Sequence, residues 1–142
     1  MKIYVASSWR NELQPEVVSI LRTAGHEVHD FRHPAPGDQG FAWSEIDKNW
    51  KNWTARQFYN ALHHPIAQKG FKADFDAMLW AEAFVLVQPC GRSAHLQLGW
   101  ACGAGKRTII LLAHQQEAEL MYKCADFICY TMSEVLATVE SA

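Results

Sequence analysis

The sequence predicts an α/β three-layer sandwich built on a five-stranded parallel sheet. Three observations lead there. Short apolar runs bounded by turn residues recur along the chain, and stretches with helical spacing fall between them. The first thirty residues also read strand, helix, strand, a crossover that joins parallel neighbours. Alternation of this kind places helices on both faces of the sheet.

Each element has its own justification. Residues 2–6 (KIYVA) are a short apolar run, broken by Ser7-Ser8-Trp9-Arg10-Asn11. Leu13, Val17, Ile20, Leu21 and Ala24 follow at helical spacing, Pro15 is tolerated near the first turn, and Gly25 stops the helix. Residues 26–31 (HEVHDF) alternate like a strand. Residues 32–53 carry two prolines, two glycines and aromatic residues without a period, so they form a long loop of the kind that is usually functional or mobile. Residues 54–81 look helical, as two helices broken near His64-Pro65. Residues 82–89 and 107–113 are buried strands, 93–103 a helix, 117–123 a short helix, 127–131 a fifth strand and 133–141 a closing helix.

Composition bounds the function. With 142 residues, 49% hydrophobic and 20% charged, the chain is a single domain, 1–142, with a full core. A net charge of −2 removes the electrostatic case for a nucleic-acid polymer or a membrane surface as partner. No apolar run approaches the ~20 residues that span a bilayer, and the first residues lack a signal-peptide core, so a cytoplasmic protein is expected. The four cysteines show no CxxC and sit in or beside apolar stretches, which predicts buried, reduced thiols. Seven histidines, including His63-His64, form no HExxH or Cys/His ladder, so no metal is expected.

Open parallel sheets bind ligands beyond the carboxyl ends of the strands, where the strand order reverses. Order 2-1-3-4-5 sets the loops after strands one and three, 7–11 and 90–93, side by side. Both lead into helix N-termini, which favour an anion. Gly91 allows close backbone approach, Ser93 is the expected N-cap, and Arg92 and Arg10 add positive charge. Ser7 and Ser8 are further polar candidates. A phosphate-bearing ligand fits this loop pair, although neither a Walker A nor a GxGxxG pattern is present and no cofactor is expected. Gln97, one turn after Ser93, shares its helix face. Gly99, Gly103 and Gly105 suit a helix that packs tightly on the sheet, or that ends.

Certain segments carry a resemblance: IYVASSW near the start, Ala73-Asp74 with Glu82 eight positions on, and SAHLQLGWACGAGKRTIILL over 93–112. In these the chain resembles the nucleoside 2-deoxyribosyltransferase-like enzymes, which include nucleoside 5′-monophosphate N-glycosidases. The resemblance implies a flavodoxin-like, Rossmann-like fold and cleavage or transfer of an N-glycosidic bond in a nucleoside or nucleotide. It places the family's glutamate nucleophile at position 97, where this chain has Gln97, and its assisting aspartate at Asp74, with Asp76 as the fallback. Ser93 takes the phosphate-holding role, and Glu82 stands where the family has a buried aspartate. Homo-oligomers in which a neighbour completes the site are common in the family.

Carboxylates suit that reaction, because the sugar develops oxocarbenium character that a carboxylate stabilises or traps while a second acid protonates the leaving base. A glutamine is uncharged and a poor nucleophile, yet it can hydrogen-bond a sugar hydroxyl. Three accounts of Gln97 compete: an engineered change that traps substrate, which the otherwise intact motif favours; a natural binder that does not cleave; or direct attack by water with Asp74 or Asp76 assisting. On each the chain is expected to be slow or inactive. The aromatic residues of the long loop offer stacking surfaces for a base, with Trp43 and Trp9 foremost; a second small core or a subunit interface is the other reading of them. A non-catalytic nucleotide sensor on the same fold and an NAD-cleaving enzyme related to the TIR fold are the rival functions. A flavin electron carrier lacks its threonine-rich loop here, and a response regulator lacks its acidic pair.

Overall fold

A computed structural model describes residues 1–141. The chain divides into two compact units, Met1–Asp30 with the chain from Trp80 onward, and Phe31–Leu79.

The first unit holds five parallel strands, β1 (Lys2–Ala6), β2 (Glu27–Asp30), β3 (Ala83–Val87), β4 (Arg107–Leu111) and β5 (Phe127–Cys129), in the order β2-β1-β3-β4-β5. Register runs Ile3 opposite Ala83 and Val85 opposite Ile109, so the three central strands start and end together. The expected order 2-1-3-4-5 is therefore observed. Helix α1 (Gln14–Thr23) crosses between β1 and β2, α4 (Arg92–Gly103) between β3 and β4, and α5 (Met132–Glu140) follows β5. Pro15 lies in the first turn of α1, where its missing N–H costs nothing, and Gly25 beyond its end adopts φ +95°, a conformation only glycine takes without strain.

The central strands are buried on both faces, which explains why β3 and β4 read as unbroken apolar runs. Ile3, Val5, Val85, Val87 and Ile109 pack with Val17 and Leu21 of α1 and Val135 and Val139 of α5. On the opposite pleat Tyr4 stacks on His29 at 5.0 Å and on Phe84 at 4.9 Å, and Phe84 meets Trp100 of α4. Each such fully buried aliphatic side chain contributes about 1.5–3 kcal/mol.

Several boundaries differ from the sequence reading. Residues 117–123 do not form an α-helix; a 3₁₀ segment, Leu120–Cys124, takes their place. Burial of all four cysteines does not hold either, since only Cys129 is buried, Cys90 and Cys102 are half-buried and Cys124 is exposed. An apolar neighbour in sequence need not be a neighbour in space. Gly99 and Gly103 meet nothing within 4 Å of an added Cβ, so tight packing on the sheet does not account for them; Gly105, at φ +74°, follows the helix end.

In the second unit, two 3₁₀ turns (Trp43–Glu45, Trp50–Asn52) precede α2 (Ala55–Ala61) and α3 (Pro65–Trp80), broken at His64-Pro65 as the sequence implies. Thr54 caps α2 by accepting the Gln57 N–H while Gln57 returns the bond to the Thr54 N–H. Trp43 sits edge-on to Phe41 at 4.8 Å and to Trp53 at 5.7 Å and lies against Phe58, so the loop aromatics build a small core of their own. Gly70 of α3 lies under Phe41 so closely that a Cβ would come within 3.0 Å of it. Among the described residues no helix is long and apolar enough to cross a membrane.

Candidate active site

The carboxyl edge of the sheet is assembled from the loops after β1 and β3. Ser7 Oγ donates to the Val87 carbonyl at 3.0 Å, and Asn11 Nδ2 donates to the carbonyls of Val87 and Pro89, both at 3.1 Å. Asn11 is buried and also caps the first turn before α1 through its Oδ1. These bonds, spanning about eighty positions of sequence, satisfy the last carbonyl of β3 and hold the two loops together. The Ser7 hydroxyl hydrogen is thereby committed. Ser8 accepts the Arg10 N–H through its side chain, while Trp9 and Arg10 are exposed.

β3 continues through a cis Gln88–Pro89 bond to Cys90 and the start of α4. The N-cap of α4 is Gly91, not Ser93, and no side chain caps it. Ser93 lies inside the first turn, exposed, because the chain turns helical two residues sooner than its hydroxyl signals. The first-turn amides of Arg92 and Ser93 are thus left for a ligand or water. Gln97 is half-buried one turn on, and Ala94, Leu98 and Ala101 form the buried stripe of the helix.

On the other flank of α4 stands a cluster the sequence reading missed. His95 Nδ1 lies 2.7 Å from the Gly91 carbonyl, so that nitrogen carries the hydrogen and Nε2 accepts from the Tyr122 hydroxyl at 2.8 Å. Gln88 Nε2 bonds Tyr122 and approaches His95, and Gln88 Oε1 accepts the Cys90 N–H at 3.2 Å. Burial pushes the Cys90 thiol up to about 11, and burial with the neighbouring Cys90 and Glu119 raises the Tyr122 hydroxyl as well. Both groups are protonated at neutral pH. No local sequence signal joins Gln88 to Tyr122, which are 34 positions apart.

A recess of about 700 Å³ lies at the opposite edge, where the strands begin. Its charged groups are already spent: Lys106 Nζ donates to the Ala81 carbonyl, Arg107 to those of Thr138 and Ser141, and Asp126 accepts from Thr108. Glu82 belongs here too. It is exposed and accepts the Lys2 N–H at 2.8 Å, so it is not the buried acid of the resembling family but a clamp between strand ends. Ligand chemistry in such sheets belongs at the carboxyl edge, and the bonding of these groups agrees.

Asp74 and Asp76 lie on α3 in the second unit. Asp74 is half-buried, whereas Asp76 is exposed and pairs with Lys72 at 2.5 Å, one turn back. Among the described residues no group of three or more His, Cys, Asp or Glu is placed to hold a metal ion.

No family model and no curated protein matches the chain. Solved structures do. A 2-deoxyribosyltransferase from the psychrotolerant bacterium Bacillus psychrosaccharolyticus is 20% identical with a TM-score of 0.64, over 95% of this chain and 90% of that one. The Clostridium botulinum CMP N-glycosidase BcmB is 17% identical with a TM-score of 0.55, over 99% of this chain and all of that one. At such identities the likeness is one of fold, and it falls on the enzymes that the segments 73–82 and 93–112 resemble. The chain is an α/β protein with the fold of a 2-deoxyribosyltransferase and a CMP N-glycosidase.

Proposed function

We propose that the chain binds a nucleoside or nucleoside 5′-monophosphate at the carboxyl edge of the sheet, on a scaffold for breaking or transferring the N-glycosidic bond. The observation that carries this reading is the flank of α4, where a half-buried Gln97 stands one turn from an exposed Ser93 in an uncapped first turn. Uncapped amides, Ser93 and Arg92 suit a 5′-phosphate, with Gly91 keeping the backbone clear. Ser8, Arg10 and the exposed Trp9 would border the ligand from the loop after β1, and Trp9 is the candidate to stack on the base.

With a carboxylate at position 97, one oxygen forms a bond to the anomeric carbon as the bond to the base nitrogen breaks. By the resemblance, the acid that gives the departing base its proton is Asp74. Water or a second base then takes the sugar from the carboxylate. Exposure of Asp76 and its pairing with Lys72 favour Asp74 for that role. Gln97 removes the first of these steps: its amide binds a sugar hydroxyl but cannot trap the sugar. The chain as it stands therefore holds substrate and turns it over slowly or not at all. The family's habit of association suits the exposed Tyr59, Phe71 and Leu79, which a neighbouring copy would cover.

The test is chromatographic detection of free base from a panel of nucleosides and 5′-monophosphates, with the parent chain and Gln97→Glu. The Glu variant is expected to release base at least about 10²-fold faster than the parent. The uncharged amide also favours a second reading, a nucleotide sensor. That reading predicts binding by calorimetry with no release from either protein.

A further inference from the structure

A helix that starts on glycine has no side chain to fix the direction of its first amides, whereas an anion is held best by donors already aimed. α4 begins in that way. Gly91 caps it with backbone alone, and a Cβ added there would meet nothing within 4 Å. The first backbone bond of the helix is also long, 3.4 Å from the His95 amide nitrogen to the Gly91 carbonyl. The His95 side chain supplies the short bond instead, its Nδ1–H donating to the same carbonyl at 2.7 Å.

That carbonyl and the Arg92 N–H belong to one peptide unit. The unit is planar and trans, so its C=O and N–H point in opposite directions, and fixing one fixes the other. The carbonyl points along the helix toward His95, and the Arg92 N–H points out beyond the helix start. His95 is itself held from behind. Tyr122 O–H donates to Nε2 at 2.8 Å, the two rings stack at 5.7 Å with 16° between their planes, and Gln88 Nε2 donates to the Tyr122 oxygen. Gln88 is buried just beyond β3, and its backbone N–H donates to the Leu111 carbonyl of β4 at 3.2 Å. Donors therefore run one way, from Gln88 through Tyr122 and His95 to Gly91, and each bond in such a chain strengthens the next. Burial raises the Tyr122 hydroxyl above its ordinary range, so it keeps the hydrogen it donates at neutral pH.

We propose that His95 is a positioning residue: buttressed by Tyr122 and Gln88, it aims the Arg92 amide at a phosphate on the start of α4. The proposal rests on the reading of α4 given above. It adds to that reading a side chain on the far flank of the helix, which acts through the Gly91–Arg92 peptide and not by touching the ligand.

Calorimetric titration of the full chain with AMP, CMP, GMP and UMP, and with the matching nucleosides, tests it through the ratio of the two affinities. The parent is expected to prefer at least one monophosphate to its nucleoside. His95→Phe keeps a ring to stack on Tyr122 but no donor; it is expected to cut that preference about three- to tenfold and to leave nucleoside affinity within about twofold. His95→Asn sets an amide N–H where Nδ1–H stands, and is expected to restore the preference to within about twofold of the parent. A merely structural role would weaken both ligands together and gain nothing from asparagine. Tyr122→Phe is expected to shift the same ratio in the same direction by about twofold, and it carries the test should His95→Phe not fold. A preference unchanged in His95→Phe, or lost there together with nucleoside affinity, would overturn the proposal and leave the reading of α4 standing. No preference in the parent for any monophosphate would remove that reading, and this proposal with it.

Discussion

The Cys90 thiol stands half-buried between Gln88 and His95, and desolvation outweighs the Gln88 hydrogen bond in setting its acidity. A thiol held at about 11 is almost wholly protonated near neutrality and a poor nucleophile, despite the adjacent imidazole. Cys124 is exposed. Alkylation by iodoacetamide near neutral pH, followed by peptide mass mapping, should therefore label Cys124 at least about tenfold faster than Cys90. Equal rates would mean that the Gln88–His95–Tyr122 cluster does not shield the sulfur. The sign for stability follows. The unfolded thiol ionises near 9.0 and the folded one only near 11, so the native state loses stability as pH climbs through that window. At the same scale, the two aspartates of α3 differ in burial and partner, although their spacing alone leaves both open.

Helix ends divide into those held by their own sequence and those held by the fold. Thr131 caps α5 by accepting the Glu134 N–H at 3.2 Å, and Glu134 returns bonds to the Tyr130 and Thr131 amides. That pattern, Thr-x-x-Glu, is written into consecutive residues. α4 starts differently. Gly91 supplies backbone alone, and Ser93 caps nothing. In urea unfolding, Thr131→Ala is expected to cost about 1 kcal/mol, whereas Ser93→Ala should stay within about 0.5 kcal/mol. A large loss from Ser93→Ala would return the serine to a structural role and weaken its assignment to a ligand. The uncapped start of α4 is what a helix needs if an anion is to complete it.

Across the molecule, stability should follow burial. Ile3–Ala6, Ala83–Val87 and Ile109–Leu111 are essentially without solvent contact, while Phe127 and Ile128 of the edge strand β5 are each more than 40% exposed. Native-state hydrogen exchange is expected to protect β1, β3 and β4 to the full global free energy and to release β5 and α2 through smaller openings. Uniform protection over both would contradict that order. The fold class and strand order were legible in the sequence because they rest on local quantities. Apolar runs with turn residues mark the strands, helical spacing marks the crossovers, and chirality leaves few ways to connect parallel strands. The helix break at His64-Pro65, the loop pair at 7–11 and 90–93, and position 97 one turn from Ser93 were legible for the same reason. Tertiary structure alone decided the rest: that Asn11 bonds Val87 and Pro89, that Glu82 clamps Lys2 at the other edge of the sheet, and that Gln88, Cys90, His95 and Tyr122 meet. Those partners lie many residues apart. A hydrogen bond between them depends on angles and burial that no stretch of neighbouring residues encodes, and only the closed sheet supplies them.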